Sequence, residues 1–335
     1  MCREYNMEHN GKTAEQARFL FNRLWKRHRH LKKWARRIGT NAYRLYDRDI
    51  PEIPLVLDLY ADAVSGALYR RPYEKDEKEE ELWLRAMKDS ISRALDLSED
   101  NIFLKERRQM KNRQETGDQY SRTKGGSFYR DVFEGDLLFR VNLSDYLDTG
   151  LFLDARKRRA FVRREAPGKK VLNLFAYTCT LSAAAAKGGA ASVDSVDLSS
   201  PYLEWGKVNF ALNKLDISSQ FSFIRDDVIQ FLRQAEKERR RWDIIILDPP
   251  SFSNSKKMRS TLDIRRDYRE LLGRCLSLLF PGGTLLFSSN ARGFRLNNDD
   301  AQGLMAKDMN GEFTDEDFRG KRIPACYAIY KGGLA

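Results

Sequence analysis

The hydrophobic pattern changes character twice along the chain. Over residues 14 to 38, Phe19, Leu20, Leu24, Leu31, Trp34 and Ile38 fall near helical spacing while Lys and Arg fill the positions between, which predicts a basic amphipathic helix. From Tyr43 to Tyr73 the period shortens to β-like runs, with Pro51 and Pro54 confining the first part to an edge or a turn. An acidic, strongly helical segment spans residues 74 to 97. Residues 101 to 107 and 129 to 141 read as further strands, the latter folded at a Glu134-Gly135-Asp136 hairpin turn. Together these predict a small α+β domain.

From Lys170 onward, continuous apolar runs alternate with helical segments. Residues 171 to 176 read as a buried parallel strand, Tyr177, Thr178 and Cys179 as a tight turn, 181 to 187 as a small-residue helix, and a second strand ends on Asp197. Helices over 201–213, 228–237 and 264–279 then alternate with strands over 221–225, 242–247 and 283–288. A helix near 301–309 and a last strand near 325–330 complete the pattern. This rhythm predicts a parallel, doubly wound sheet, with ligands collecting at the carboxyl ends of its strands.

Acids stand at those ends. Asp197, Asp227 and Asp248 each follow a predicted strand. A carboxylate ending the second strand, close to twenty residues past a tight turn, suits the hydroxyls of a ribose. The turn itself, Asn173-Leu174-Phe175-Ala176-Tyr177-Thr178, has neither the G-x-G-x-x-G of a dinucleotide site nor the GK[ST] of a P-loop. A nucleoside without a pyrophosphate, such as S-adenosylmethionine, is the ligand it tolerates; the plainer account is an α/β protein whose core strands happen to end in acids. Candidate cofactor contacts are therefore Asn173, Phe175, Ala176, Tyr177, Thr178, Asp197, Leu198, Asp226, Asp227 and Val228, with Asp227 placed to accept from an adenine amino group. Asp154 and Arg156, just before the helix that leads into the central strand, are expected at the edge of that site, unless this is a plain linker helix with a surface salt bridge. Asp248-Pro249-Pro250-Ser251-Phe252 follows the hydrophobic strand, and two prolines there fix the backbone so that a carboxylate, carbonyls and a stacking ring face the crevice.

Charge adds a partner. The 335 residues carry a net +12 with a pI near 9.5, and residues 1 to 40 alone hold eleven Lys or Arg against three Glu, or +8. Such a segment is the electrostatic footprint of a phosphate backbone, with a solvated helix face as the alternative. Candidate RNA contacts are Arg23, Lys26, Arg27, Lys32, Lys33, Arg36 and Arg37, joined by Lys111 and Arg113 in a polar loop whose surroundings, 105 to 130, carry eight basic and three acidic side chains. Four scattered cysteines with no C-x-x-C pair predict neither a structural zinc site nor a disulfide framework. No apolar run approaches the roughly 20 residues of a membrane span, and no signal-peptide core is evident, so a cytoplasmic location without membrane or metal partners is expected. The domains are expected at 1–40 (basic helix), 41–141 (α+β accessory, RNA-binding) and 142–335.

The runs NLSDYLDTGLFLDARKRR, VLNLFAYTCTLSAAAAKGGA, VDLSSPYLEWGKVNFALN, DPPSFSNSKKM, RRDYRELL and SSNARGF, in that order and spacing, resemble the domain that methylates guanine N7 in bacterial 23S ribosomal RNA. That domain is usually the C-terminal half of a bifunctional large-subunit methyltransferase. YRLYDRDIPE at 43–52 resembles the family's accessory domain, so nearly the whole chain is covered; the half that makes N2-methylguanine has no counterpart, and a native start at Met1 would make this a free-standing version. The resemblance implies a class I S-adenosylmethionine-dependent methyltransferase, Rossmann-like with a mostly parallel seven-stranded sheet, preceded by a smaller α+β domain. It implies S-adenosylmethionine as cofactor and 23S ribosomal RNA or a large-subunit assembly intermediate as partner. Guanine N7 has an in-plane lone pair and needs no general base, so Asp248 and the Pro249 carbonyl are assigned to the base edge and Phe252 to stacking. Two departures stand out: the family usually has Gly where Cys179 stands, and His or Gln where Ala155 stands. The first is expected to cost cofactor affinity, because a side chain takes the place of closest backbone approach. Cytosine C5 methylation, which needs a nucleophilic cysteine after the fourth or fifth strand, finds only Ser251 and Ser288-Ser289-Asn290 there. A catalytically inactive RNA-binding assembly factor and a small-molecule methyltransferase are the remaining alternatives, and the second would leave the +8 segment unexplained.

Overall fold

In a computed structural model the chain forms two compact units. Residues 11–69, 76–107, 127–217, 220–253, 261–301 and 303–332 are described. The first unit takes in the chain up to residue 107 with 127–136 and 141–149, and the second takes in 137–140 and 150–332.

The first unit begins with α1 (Gly11–Ile38), followed by β1 (Ala42–Asp47), β2 (Leu55–Tyr60), β3 (Ala63–Tyr69), α2 (Glu77–Leu95) and β4 (Ile102–Arg107). The four strands make one sheet in the order β1-β2-β3-β4, antiparallel except for β3 and β4, which run parallel across the α2 crossover. Pro51 and Pro54 fall between β1 and β2, where no ladder hydrogen bond is lost. Leu20, Leu24, Leu31 and Trp34 of α1 and Trp83, Met87 and Ile91 of α2 share a core with Leu45, Leu57 and Leu59 of the strands. Each fully buried leucine in it contributes about 2 kcal/mol. Asp76 caps α2 by accepting from the Glu79 N–H. The predicted hairpin is present as β5 (Tyr129–Glu134) and β6 (Leu137–Asn142), turning at Gly135 with φ +62°.

The second unit continues through α3 (Arg156–Glu165), β7 (Lys170–Leu174), α4 (Thr180–Lys187), β8 (Ser192–Asp197), α5 (Ser200–Leu212), β9 (Phe221–Arg225), α6 (Val228–Lys237) and β10 (Trp242–Leu247). A two-stranded clip, β11 (Phe252–Ser253) with β12 (Leu262–Asp263), precedes α7 (Ile264–Ser277), β13 (Leu279–Ser289), β14 (Met305–Asp308), α8 (Asn310–Phe313) and β15 (Ala325–Tyr330). The sheet has seven strands in the order β14-β15-β13-β10-β7-β8-β9; β15 alone runs antiparallel to its neighbours β13 and β14. Chain order reverses between β7 and β10, so the crevice outside their carboxyl ends is the topological switch point. Val171, Leu172, Leu174, Ile244, Ile245, Ile246 and Leu247 are buried, as central parallel strands covered on both faces require.

One expected element is different. Residues 303–309 are not helical: a 3-10 turn ends at Ala301, and Met305–Asp308 pairs with Tyr327–Tyr330 as the edge strand β14. Ala, Met and Lys favour a helix in isolation, but the open edge of β15 supplies ladder partners that outweigh that preference.

Candidate active site

The site grows from the turn after β7. Phe175, Tyr177 and Cys179 all have left-handed backbone, φ +56°, +51° and +56°. Three non-glycine residues in that region within five positions cost about 1 kcal/mol or more each. The turn is held by specific bonds: Ala176 N–H donates to the Val196 carbonyl at 3.0 Å and Cys179 N–H to the Ala176 carbonyl at 2.8 Å. Thr178 Oγ1 donates to the Gly150 carbonyl at 2.5 Å, and its own carbonyl accepts from Asn209 at 2.9 Å.

Cys179 is fully buried, and its side chain is directed into the protein against α5. A Cβ placed on Gly206 would lie 2.6 Å from its Sγ and 2.8 Å from its Cβ. The missing side chain at Gly206 is thus what makes room for the thiol. The expected cost to cofactor affinity rests on a side chain pointing to the ligand, and this packing removes that ground. Gly206 is not legible in the sequence, because a glycine inside a helical pattern carries no sign of what it faces.

Asp197, at the end of β8, holds the turn from the other side. One carboxylate oxygen accepts from Tyr177 N–H and the other from Ser199 N–H, each at 2.8 Å. Burial pushes the Asp197 carboxyl above its ordinary range, against the pull of the backbone N–H groups of Ser199, Tyr177 and Leu198. Each oxygen keeps a second lone pair, the arrangement a pair of ribose hydroxyls requires. Asp226 Oδ1 accepts from Asp227 N–H at 2.8 Å, and Asp227 caps α6 by accepting from Ile229 and Gln230 N–H at 2.9 and 3.2 Å through one oxygen. The cap leaves its second oxygen to a ligand, and the neighbouring Val228 is buried. Leu198 is half-buried beside Asp197.

Two candidates lie differently from the rest. Asn173 is 1% exposed and donates to Ser182 Oγ at 2.8 Å, and Thr178 is wholly buried. Their side chains fix the turn from inside. Phe175 packs against the sheet core, while Tyr177 lies tilted against Phe152 and edge-on to Tyr202, with centroids at 5.2 and 4.5 Å.

The opposite wall is built by α3, which carries three buried arginines, Arg156, Arg158 and Arg159. A buried guanidinium is tolerable only with partners, and each has its own. Arg156 forks onto Asp315 at 3.0 Å and Asp317 at 3.1 and 3.2 Å, tying α3 to the segment after α8. It is therefore a structural tie, with its guanidinium committed to these two acids. Arg159 donates to the Phe152 carbonyl at 3.0 Å. Arg158 reaches the carboxyl ends of β10 and β13: its Nη1 lies 2.8 Å from Asp248 Oδ2 and 2.8 Å from Ser288 Oγ, and Ser288 Oγ donates to Asp248 Oδ1 at 2.5 Å. Asp154 stands 3.8 Å from Arg158 on the outer side. Burial acts to lower the Arg158 guanidinium, but its neighbours, Asp248 foremost, outweigh it and hold the group above its ordinary value. Arg158 is the residue that sequence reading misses; in Arg156-Lys157-Arg158-Arg159 nothing local separates it from its neighbours.

Asp248 itself is 28% exposed at the corner of β10, Pro249 is buried, and Phe252 is half-buried in the β11–β12 clip. Three described cysteines, Cys179, Cys275 and Cys326, are buried. Cys326 pairs in register with Ser288 and is the thiol nearest the Asp248 corner, but burial pushes it up to about 12 and its Sγ donates to the Pro324 carbonyl at 3.4 Å.

Of the basic candidates on α1, Lys26, Lys32, Lys33, Arg36 and Arg37 are exposed. Arg23 and Arg27 are committed to their own unit: Arg23 pairs with buried Asp49 at 2.7 Å and Arg27 donates to the Leu45 carbonyl at 2.8 Å. Lys111 and Arg113 lie outside the described residues.

The chain matches the family model of S-adenosylmethionine-dependent methyltransferases over residues 48–299. It is 43% identical over 309 residues to ribosomal RNA large subunit methyltransferase K of Neisseria meningitidis serogroup B, covering 92% of this chain and 86% of the relative. It is 40% identical over 333 residues to ribosomal RNA large subunit methyltransferase K/L of Shewanella amazonensis, covering 98% of this chain but only 46% of that longer relative. Among solved structures, that of SMU.776 complexed with SAH superposes with a TM-score of 0.72 at 24% identity, over 94% of this chain and 81% of the other. The methyltransferase from Agrobacterium tumefaciens gives a TM-score of 0.55 at 19% identity, over 87% and 90%. These likenesses establish the fold. The chain belongs to the S-adenosylmethionine-dependent methyltransferases, in the group that includes ribosomal RNA large subunit methyltransferase K.

Proposed function

We propose that the protein methylates N7 of a guanine in 23S ribosomal RNA, with Asp197 holding the ribose of S-adenosylmethionine, Asp227 its adenine, and the Asp248-Pro249 corner the edge of the target base. The large-subunit ribosomal RNA substrate is suggested by the 43% identity to methyltransferase K. When bound, S-adenosylmethionine supplies an electrophilic methyl on its sulfonium.

The chemistry at the base favours N7 over C5. A lone pair in the plane of guanine needs no proton removed, so the protein's task is alignment and exclusion of water. The Asp248 carboxylate is aligned from behind by Arg158 and Ser288 and keeps its exposed side for the base; Asp154 leaves the trio of charges net negative, which favours the cationic product. C5 transfer requires an attacking thiolate, and the nearest thiol, Cys326, is closed off and protonated at neutral pH. That combination, an aligned carboxylate with no available thiol among the described residues, is the observation that carries the reading. N7 is hard to reach in the deep major groove of A-form RNA, so the target is an unstacked guanine or one in unassembled RNA.

The test is incubation of 23S ribosomal RNA from a strain lacking the protein with labelled S-adenosylmethionine, followed by nucleoside mass spectrometry. One N7-methylguanosine is expected; label in 5-methylcytidine, or none in RNA, would overturn the assignment.

A further inference from the structure

One face of α1 closes the core of the first unit, and among the described residues the opposite face is exposed. Trp25 keeps 46% of its surface exposed, whereas Trp34, Trp83 and Trp242 are buried and Trp205 is half-buried. Trp25 lines a shallow recess with Lys26, Arg29, His30 and Lys33. The Arg29 guanidinium lies 4.5 Å from the indole centroid, one helical turn along, and steadies the ring in place. Glu15, near the start, is the sole acid on this helix. A large flat ring displayed among cations, with no acid nearby on the helix, is matched to a ligand that has both a π-face and negative charge.

We propose that this face of α1 binds unpaired RNA, with an exposed base stacking on Trp25 while Lys26, Arg29 and Lys33 hold the flanking phosphates. The inference rests on the RNA-methylating function above and adds to it a contact in the first unit. A duplex keeps its bases inside and offers this surface only phosphates, so it gains nothing from the ring. An acidic protein segment meets the charge but lacks an aromatic face of the right extent.

Tryptophan fluorescence of the full chain tests this, titrated with a short single-stranded oligoribonucleotide, with its duplex, and with polyglutamate. The single strand should quench the wild type and leave Trp25→Phe unquenched. Trp25→Ala, whose core is untouched, should bind the single strand roughly tenfold more weakly and the duplex unchanged. Equal quenching by duplex or by polyglutamate, or unchanged single-strand affinity in Trp25→Ala, overturns the site. Methyl transfer to ribosomal RNA is followed in parallel: transfer without quenching overturns the stacking contact alone, and absence of both RNA retention and transfer overturns the function as well.

Discussion

Cys179 and Gly206 show how one position constrains another nearly thirty residues away in sequence. With Sγ 2.6 Å from a virtual Cβ on Gly206, Gly206→Ala forces the thiol or α5 to move, and should destabilise the protein by about 2 kcal/mol in urea unfolding. In a Cys179→Gly background the same change meets the edge of the Phe223 ring, 3.3 Å from that Cβ, in place of the thiol, so most of the cost should disappear. Arg158 makes a second residue-scale prediction. Arg158→Met leaves the partly exposed Asp248 unpaired on that side, and should lower kcat far more than it lowers affinity for cofactor; Ser288→Ala, which removes one bond and no charge, should do so more mildly. Equal effects on both constants would mean that Arg158 only supports the fold. Asp197 predicts a pH response. Its carboxyl is raised by burial, so the ionised form that accepts from ribose hydroxyls is lost on acidification earlier than an ordinary carboxylate would be. Cofactor affinity by calorimetry should fall as pH drops through that raised value and flatten in Asp197→Asn. The stability term has the opposite sense: since the folded state holds this proton more tightly, stability decreases as pH rises between the unfolded and folded values.

Elements are legible in the sequence wherever pattern and partner agree. α6 begins and β10 ends where an acid interrupts an apolar run, a purely local signal, which is why Asp197, Asp227 and Asp248 can be placed at the carboxyl ends of β8, β9 and β10 from the sequence. β14 reads as helix because an edge strand of four residues is defined by its neighbour and not by its own period. Distance hides Arg158 and the true role of Arg156 in the same way: their partners lie 90 and 159 residues away, and no window along the chain contains them. At α6, Asp227 has two tasks, capping the helix and, in the proposed function, meeting adenine. Asp227→Ser should retain the cap, keeping thermal stability within about 0.5 kcal/mol, while weakening cofactor binding measured in the same sample. Asp227→Ala should lose both.

At the scale of the molecule, the excess positive charge is concentrated on one long helix, and its exposed members are separable from those that hold the first unit together. Reversing Lys32, Lys33, Arg36 and Arg37 to Glu should leave the unfolding midpoint nearly unchanged and abolish most RNA retention, with the slope of affinity against salt reduced by about one for each phosphate no longer neutralised. Arg23→Ala should behave differently, reducing stability through the loss of the pair with buried Asp49 while the salt slope stays. The division of labour matches the two cores: the four-stranded sheet with α1 and α2 displays charge, and the seven-stranded sheet carries the acids.

The lodging of the Cys179 thiol in the hollow left by Gly206 has a consequence for descent. A lineage can carry glycine in the turn with alanine on the helix, or cysteine in the turn with glycine on the helix, but cysteine opposite alanine is strained. The two relaxed states are therefore joined at least cost through a glycine–glycine intermediate, and homologues sampled at these positions should seldom show the strained pairing.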